Sequence, residues 1–436
     1  MRRKEFLKQT GMMLGALQTL GAASLSAVSQ SRIPTTFDTM NWSDVRNQFA
    51  LRRSHIHMST FLLSSHPKPV ADAIKRHRHA LDEDPAHYWG EHFMTAEPEQ
   101  QAAAGEYLGA SPDHIALTDS TTMGLGLVYG ALKLRPDQEI LTTTHDHYAT
   151  EMSIKHRADR TGAKFRQISL YDDPAETSVD EILSRTKEAI TEQTRVFAVT
   201  WVHSSTGVKL PIKKMSQVLQ ELNRSREIED RILFCVDGVH GLGIEDVTID
   251  DLGCDFFIAG THKWLFGPRG TGIIWGRPEA WEVLDPVIPN FGPSVGVWIG
   301  VLPPDTPYIT PGNFYTPGGF HSFEHRWALA EAFRFHLDIG KTRVQERIHS
   351  LNTICKEALA EIPHVQLHTP ISTELSSGMV CFDVDGYTPT QVVEEYHRHN
   401  ITASTTPYRE SHARLAPSLI NNEEEVQRSI EVIAEI

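Results

Sequence analysis

The stretch from Arg231 to Trp275, RILFCVDGVHGLGIEDVTIDDLGCDFFIAGTHKWLFGPRGTGIIW, constrains the fold more than any other part of the chain. It holds two short apolar runs, ILFCV and FFIA. The first ends on Asp237 with His240 close behind it, and the second on Thr261, His262 and Lys263. Runs of this length, apolar on both faces and separated by a helix-sized interval, predict buried parallel strands. Ligands of open α/β sheets bind just beyond the carboxyl ends of such strands. A carboxylate and an amine are therefore aimed at one crevice.

That pairing suits pyridoxal 5′-phosphate. The cofactor needs a lysine to form a Schiff base with its aldehyde, and a carboxylate to keep its ring nitrogen protonated so that the ring can accept electrons. Lys263 and Asp237 supply the pair. Each residue alone has a plainer reading: a surface lysine after a core strand, and an aspartate opening a turn.

A chain of 436 residues is long enough for a large core and two domains. The net charge of −15 argues against a general nucleic-acid binder. Cys235, Cys254, Cys355 and Cys381 are widely spaced and form no CxxC; three lie within or beside apolar runs, which predicts buried free thiols. The first thirty residues are basic over MRRKEFLKQT, then apolar and rich in small residues. This is the layout of a secretory signal, too short and weakly apolar for a stable membrane span. Arg2 and Arg3 ahead of Phe6, Leu7 and Lys8 resemble a twin-arginine signal, with one residue too many before Phe6. Export to the periplasm is the expectation, and an N-terminal arm on a cytoplasmic protein is the alternative.

The organisation read from the sequence is a signal over residues 1–30, an arm over 31–69 with SSHPKP as a loop, a large domain over 70–318 and a smaller one over 319–436. In the large domain HIALT, EILTTT, KFRQISL, VFAVTWV, the two runs above and GIIW alternate with helical stretches opening at Ser120 and near 148, 178 and 211. Such alternation predicts an α/β fold with a doubly wound, mostly parallel sheet. The Pro- and Gly-rich segment 284–319 reads as a long loop, and FEHRWALAEAFRFHLDIG as one long helix linking the domains. The remainder, with GMVCFDVDG as a strand and NEEEVQRSIEVIAEI as a final helix, reads as a small α+β domain.

Three further groups carry chemistry. Ser120, Thr121, Thr122 and Met123 open a helix, whose free N–H groups and dipole suit a phosphate; a plain helix cap is the alternative. THDHY, residues 144–148, ends a strand, with His147 able to lie flat on a pyridine ring and His145 on the same strand face. Two histidines are only half a zinc site and no third ligand is evident, so no metal is assigned. WVHSSTG, residues 201–207, offers Ser204 or Ser205 to a ring hydroxyl and Gly207 to a tight turn.

Together these features resemble the class V aminotransferase family, pyridoxal-phosphate enzymes of fold type I that include cysteine desulfurases, kynureninase and isopenicillin N epimerase. The resemblance covers nearly everything from about residue 41 onward, most specifically DGVH at 237–240 and GTHKWLFGPRGTG at 260–272. It implies that Lys263 carries the Schiff base, Asp237 pairs with the pyridinium and His240 contacts the ring hydroxyl. It gives His147 the stacking position, Ser204 a ring-hydroxyl position, and Thr121, Thr122 and His262 the phosphate positions. RLAPSLINNEEEV near the C-terminus matches the family's carboxylate-binding arginine, which makes Arg414 the clamp for the substrate carboxylate and Arg409 the fallback.

The chain departs from the family in three places. Gly260 stands where many members carry Ser or Thr. Gly319 and Phe320 stand where a Gly-Thr of the neighbouring subunit usually reaches the phosphate, a position that implies a homodimer with a shared site. The loop ASTTPYRESHAR lacks the nucleophilic cysteine of desulfurases. The resemblance is nearest the isopenicillin-N-epimerase-like branch, and the substrate expected is a small amino acid or amine. Transamination, epimerisation and β-elimination begin identically and stay open, as does a non-catalytic binder on the same fold. A metal-dependent hydrolase is the remaining alternative.

Overall fold

The computed structural model describes residues 37–300, 303 and 310–436. The segment read as a signal, residues 1–30, and the beginning of the arm lie outside the described residues. No helix among the described residues is long and apolar enough to cross a membrane.

In the arm, β1 spans Ile56–His57. The central sheet comprises β2 (Ile115–Thr118), β3 (Glu139–Thr143), β4 (Lys164–Ile168), β5 (Thr194–Thr200), β6 (Leu233–Asp237), β7 (Phe256–Gly260) and β8 (Gly272–Gly276), in the order β2-β8-β7-β6-β5-β3-β4. Strands β4, β3, β5, β6 and β7 run parallel, and β8 runs antiparallel to both of its neighbours. Every residue of β5 to β8 is buried. Successive side chains alternate between two cores: Phe197, Val199, Phe234, Val236, Phe257 and Ala259 enter one, while Val196, Ala198, Leu233, Cys235, Phe256 and Ile258 enter the other. Helices cover both faces, so these strands read as unbroken apolar runs rather than alternating ones. The helices Thr121–Ala131, Tyr148–Thr161 and Val179–Ala189 start on the side chains of Ser120, His147 and Ser178, each accepting a backbone N–H of the first turn.

The second unit holds β9 (Val365–Leu367), β10 (Val380–Val384), β11 (Ile401–Thr402), β12 (Ser404–Thr405) and β13 (Ala413–Leu415). Four of these form an antiparallel sheet in the order β12-β13-β10-β9, with the helices Lys341–Ala360, Pro389–Arg398 and Glu423–Ala434 around a separate core. The arm is stitched onto this unit. Strand β1 pairs in parallel with β11, and Arg46 of the Trp42–Asn47 helix meets Glu425 at 2.6 Å.

Three local expectations change. The loop at 64–69 is shorter than expected, because the Lys68–Glu83 helix opens there with Pro69 in its first turn, where a missing N–H costs nothing. A second helix, Pro85–Leu108, follows it. The single helix expected over FEHRWALAEAFRFHLDIG is two, Phe323–Arg326 and Leu329–Ile339. The buried Gln100 side chain accepts the Ala330 N–H at 2.5 Å in place of the preceding turn's carbonyl, and the ladder breaks at Trp327 and Ala328. Segment 284–319 is not loop throughout, since Pro293–Trp298 and Pro311–Tyr315 are helical.

Glu245 locks the two units together. Its buried carboxylate accepts Lys209 Nζ and His349 Nε2 at 2.8 Å each and Ser377 Oγ at 2.6 Å, the last two from the second unit. Burial alone would raise this carboxyl, and the bonds from His349 and Lys209 outweigh it and hold the group below its ordinary value. Glu245→Ala strands Lys209 and should lose about 3–5 kcal/mol in urea unfolding at pH 7, with Glu245→Gln losing less. Because the folded carboxyl is depressed, its contribution is present above the ordinary glutamate range and fades as pH falls below it. The wild type should therefore lose more stability than Glu245→Ala between pH 6 and pH 3, about the ordinary value near 4.3; parallel urea midpoints for the two would contradict the assignment.

Candidate active site

The carboxyl ends of β3, β5, β6 and β7 deliver His147, Ser204, Asp237 and Lys263 to one edge of the sheet, and the end of β2 delivers Thr121. Asp237 is the last residue of β6 and 2% exposed, with its Oδ1 accepting the Val239 N–H at 3.1 Å. Burial raises its carboxyl well above the usual aspartate range. Lys263 lies three residues beyond β7, and burial lowers its amine.

His240 links this lysine to the core. Its Nδ1 accepts the indole N–H of the fully buried Trp264 at 3.2 Å, which places the ring proton on Nε2, 3.2 Å from Lys263 Nζ. Burial, then the charge of the neighbouring Lys263, keep His240 far below its ordinary pKa, so its imidazole is neutral. The lysine backbone is clamped from the arm: Ser64 Oγ lies 2.8 Å from the carbonyl oxygens of both His262 and Lys263. Phe266, three residues on, holds φ at +56°, unusual for a side chain of its size. Its ring is buried between Phe49 and His336, which over-determines the turn.

His147 caps its helix and is pushed down to about 4 by burial and by the charges of Lys263 and Arg414, so it stays neutral at ordinary pH. The hydroxyls of Ser204 and Tyr408 share a hydrogen bond with an O···O separation of 2.6 Å, and the Ser204 carbonyl accepts Arg414 Nη1 at 3.0 Å. Arg414 Nε donates to Ser404 Oγ at 3.1 Å, and the guanidinium stacks 3.9 Å from the centre of the Phe61 ring. A buried, oriented guanidinium of this kind is suited to one carboxylate. Arg409, by contrast, is exposed.

At the start of the Thr121–Ala131 helix, Ser120 Oγ takes the Met123 N–H at 3.1 Å. The N–H groups of Thr121 and Thr122 have no acceptor among the described residues, as the first turn of a helix dictates. Thr121 Oγ1 accepts the Gly260 N–H at 2.8 Å, which leaves its own proton free to donate. A Cβ at Gly260 would stand 2.8 Å from Thr121 Oγ1 and 3.0 Å from the His262 ring, so glycine is what lets these three close up. His262 is lowered to about 4 by burial, Lys263 and Arg269. An anion-binding helix start, an amine and a buried carboxylate on one crevice fit pyridoxal phosphate in each of its three parts.

Gly319, expected to serve the phosphate of a neighbouring subunit, is on the segment where Gly318 packs against Pro289 and Phe291 and where the exposed Phe320 meets Trp89 and Phe291. His145 stacks on Tyr171 at 3.9 Å and on His203 at 5.2 Å and accepts the Leu170 N–H. Gly207 does sit at φ +79°, with Thr369 close against it. Residues the sequence did not single out are Ser64, Phe61, Trp264 and Tyr408. The first two reach the crevice from the arm, and only Trp264, adjacent to Lys263, left a local signal.

The aminotransferase class-V model matches residues 64–407. The chain is 24% identical over 401 residues to an isopenicillin N epimerase of Streptomyces clavuligerus, covering 89% of this chain and 96% of that one. It is 25% identical over 286 residues to a probable cysteine desulfurase of Halalkalibacterium halodurans, 65% of each chain. Among solved structures, the apo cysteine desulfurase of Thermococcus onnurineus superposes with a TM-score of 0.77 at 20% identity, over 93% of this chain and 99% of that one. A C-DES variant with glycine covalently linked to its pyridoxal-phosphate cofactor gives 0.78 at 19% identity, over 90% and 99%. At these identities the structural likeness is one of fold. The match over most of its length makes the chain a member of the aminotransferase class-V family, whose cofactor is pyridoxal 5′-phosphate.

Proposed function

We propose that this protein acts at the α-carbon of a small amino acid, with Lys263 moving the Cα proton and Arg414 holding the substrate carboxylate, and that the reaction is epimerisation or transamination. The observation that carries the reading is the Trp264–His240–Lys263 chain, which sets a neutral imidazole against a buried amine whose pKa burial lowers, the condition in which a lysine can serve as a base. When bound, the cofactor supplies an aldehyde for the lysine and a ring that accepts the electrons released at Cα. Asp237 matches the ring's positive nitrogen, and its own raised carboxyl regains its charge when a cation arrives beside it. His147, neutral and at the mouth of its helix, gives the ring a flat face to lie on.

Tyr408 supports a second proton carrier. Its hydroxyl, bonded to Ser204 and raised to about 12 by burial, stays protonated beside Arg414. The cysteines support the exclusion of persulfide chemistry, since all four are buried and Cys381, across from Arg414 in the sheet register, is pushed up to about 12 by burial. A β-elimination that needs no cysteine nucleophile is the second reading, favoured by the same lysine. A homodimer and export through the first thirty residues belong to this proposal too; the exposed Phe320, Leu62 and Leu63 favour a covered surface.

The purified protein should be yellow or become so with added cofactor, and borohydride should fix the chromophore to the wild type and not to Lys263→Ala. A protein that stays colourless with the cofactor added sinks the reading. Single L-amino acids incubated in deuterated water then separate the outcomes: D-amino acid, 2-oxo acid, or a released β-substituent. Arg414→Lys should raise KM for amino acids by about 10- to 100-fold, the loss of a charged bidentate contact, and leave decarboxylated amines unaffected. Tyr408→Phe should lower kcat by about 10²-fold or more at nearly unchanged KM, whereas a shift confined to KM would reduce Tyr408 to a support for Ser204.

A further inference from the structure

The second unit carries a cluster that the reading above does not use. His368 follows β9, Asp383 lies in β10 and His412 precedes β13, on three adjacent strands of the antiparallel sheet. The register that pairs Phe382 with Leu367 on one side and Ala413 on the other brings the three side chains together. His368 Nε2 lies 2.8 Å and His412 Nδ1 2.9 Å from the same oxygen, Asp383 Oδ2, and the two rings face each other with centroids 3.9 Å apart. The other carboxylate oxygen, Oδ1, is buried and has no hydrogen-bond partner among the described residues. Among the described residues this is the one group of three His, Cys, Asp or Glu side chains whose ligand atoms all fall within 4.8 Å of one another.

We propose that His368, Asp383 and His412 form a binding site for a divalent transition-metal cation of the zinc class. Two imidazole nitrogens and a carboxylate oxygen are the donor set such ions take, in the two-histidine, one-carboxylate arrangement that leaves further positions for water. Metal–ligand bonds of about 2.0–2.2 Å in a tetrahedron put neighbouring ligand atoms about 3.3 Å apart, so the cluster needs to open by about half an ångström. Each ring binds the ion through the lone pair of one nitrogen while the other nitrogen carries the proton. The unpartnered Oδ1 gives the carboxylate a second oxygen for the cation. The ion would pin His412 to β10, and His412 stands two residues ahead of Arg414, at the end of the loop that carries Tyr408.

The test is a cobalt(II) titration of the cofactor-loaded enzyme after dialysis against a chelator, followed by the d–d absorption between about 500 and 650 nm expected of low-coordinate sites. The wild type and Lys263→Ala should both take up a single equivalent that zinc displaces, which separates this site from the histidines around the cofactor. Asp383→Asn, His368→Gln and His412→Gln should each weaken uptake more than about tenfold, with far-ultraviolet circular dichroism showing that they remain folded. Two results overturn the proposal: no saturable uptake by the wild type, or uptake that the folded Asp383→Asn and His412→Gln variants retain in full.

Discussion

Burial of an amine and a carboxylate on the same crevice sets the electrostatics of this protein. Lys263 and Asp237 have both been taken out of water at the carboxyl edge of the central sheet, and the cost of desolvation drives the carboxyl up and the amine down. Each is left closer to its neutral form than it would be in solvent. A site in that condition favours a ligand that brings a cationic ring nitrogen to the carboxylate and an aldehyde to the amine. The anion that travels with such a ligand finds the free N–H groups of Thr121 and Thr122 at a helix start, where the macrodipole favours negative charge.

Reactive groups of this kind are useful only if they cannot drift, and the surrounding structure restrains them from several sides. Trp264 orients His240, which in turn addresses the lysine. Ser64 holds the lysine backbone from the arm, and the buried Phe266 fixes the turn that follows. Arg414 is braced by Ser204, Ser404 and the Phe61 ring, so it presents a defined face. Glu245 then ties the unit that carries Arg414 to the unit that carries Lys263 through His349 and Ser377. The arm, the large unit and the second unit each contribute one wall of the crevice, which makes their mutual packing part of the chemistry.

Histidine serves different purposes in different parts of the molecule. Around Lys263 the imidazoles of His147, His240 and His262 are kept neutral by burial and by nearby cations, and act through shape and hydrogen-bond direction. At Glu245, His349 is a partner to a carboxylate that holds two units together. At Asp383 two histidines share one oxygen. The same side chain is a flat surface, a brace or one of a pair on a shared carboxylate according to how much water and how much opposite charge surround it.

The apolar runs of β5 to β8, their lengths and the polar residues at their ends determined the parallel sheet and its functional edge, because strands covered on both faces must be continuously apolar and ligands bind beyond their carboxyl ends. Lys263 and Asp237 were legible for that reason, and the helix starts at Ser120 and Ser178 because a cap is a local bond between near neighbours in sequence. Contacts between distant segments were not legible. Nothing near Ser64 or Phe61 in the chain announces that the arm folds over Lys263 and Arg414, and nothing near Trp327 shows that Gln100 breaks the helix there. Tyr408 beside Ser204, and His368 and His412 on one oxygen of Asp383, likewise depend on strand register and on the docking of one unit against another. Local propensity and burial patterns are written along a chain, whereas the pairing of side chains hundreds of residues apart is decided only when the packed units bring them within hydrogen-bonding distance.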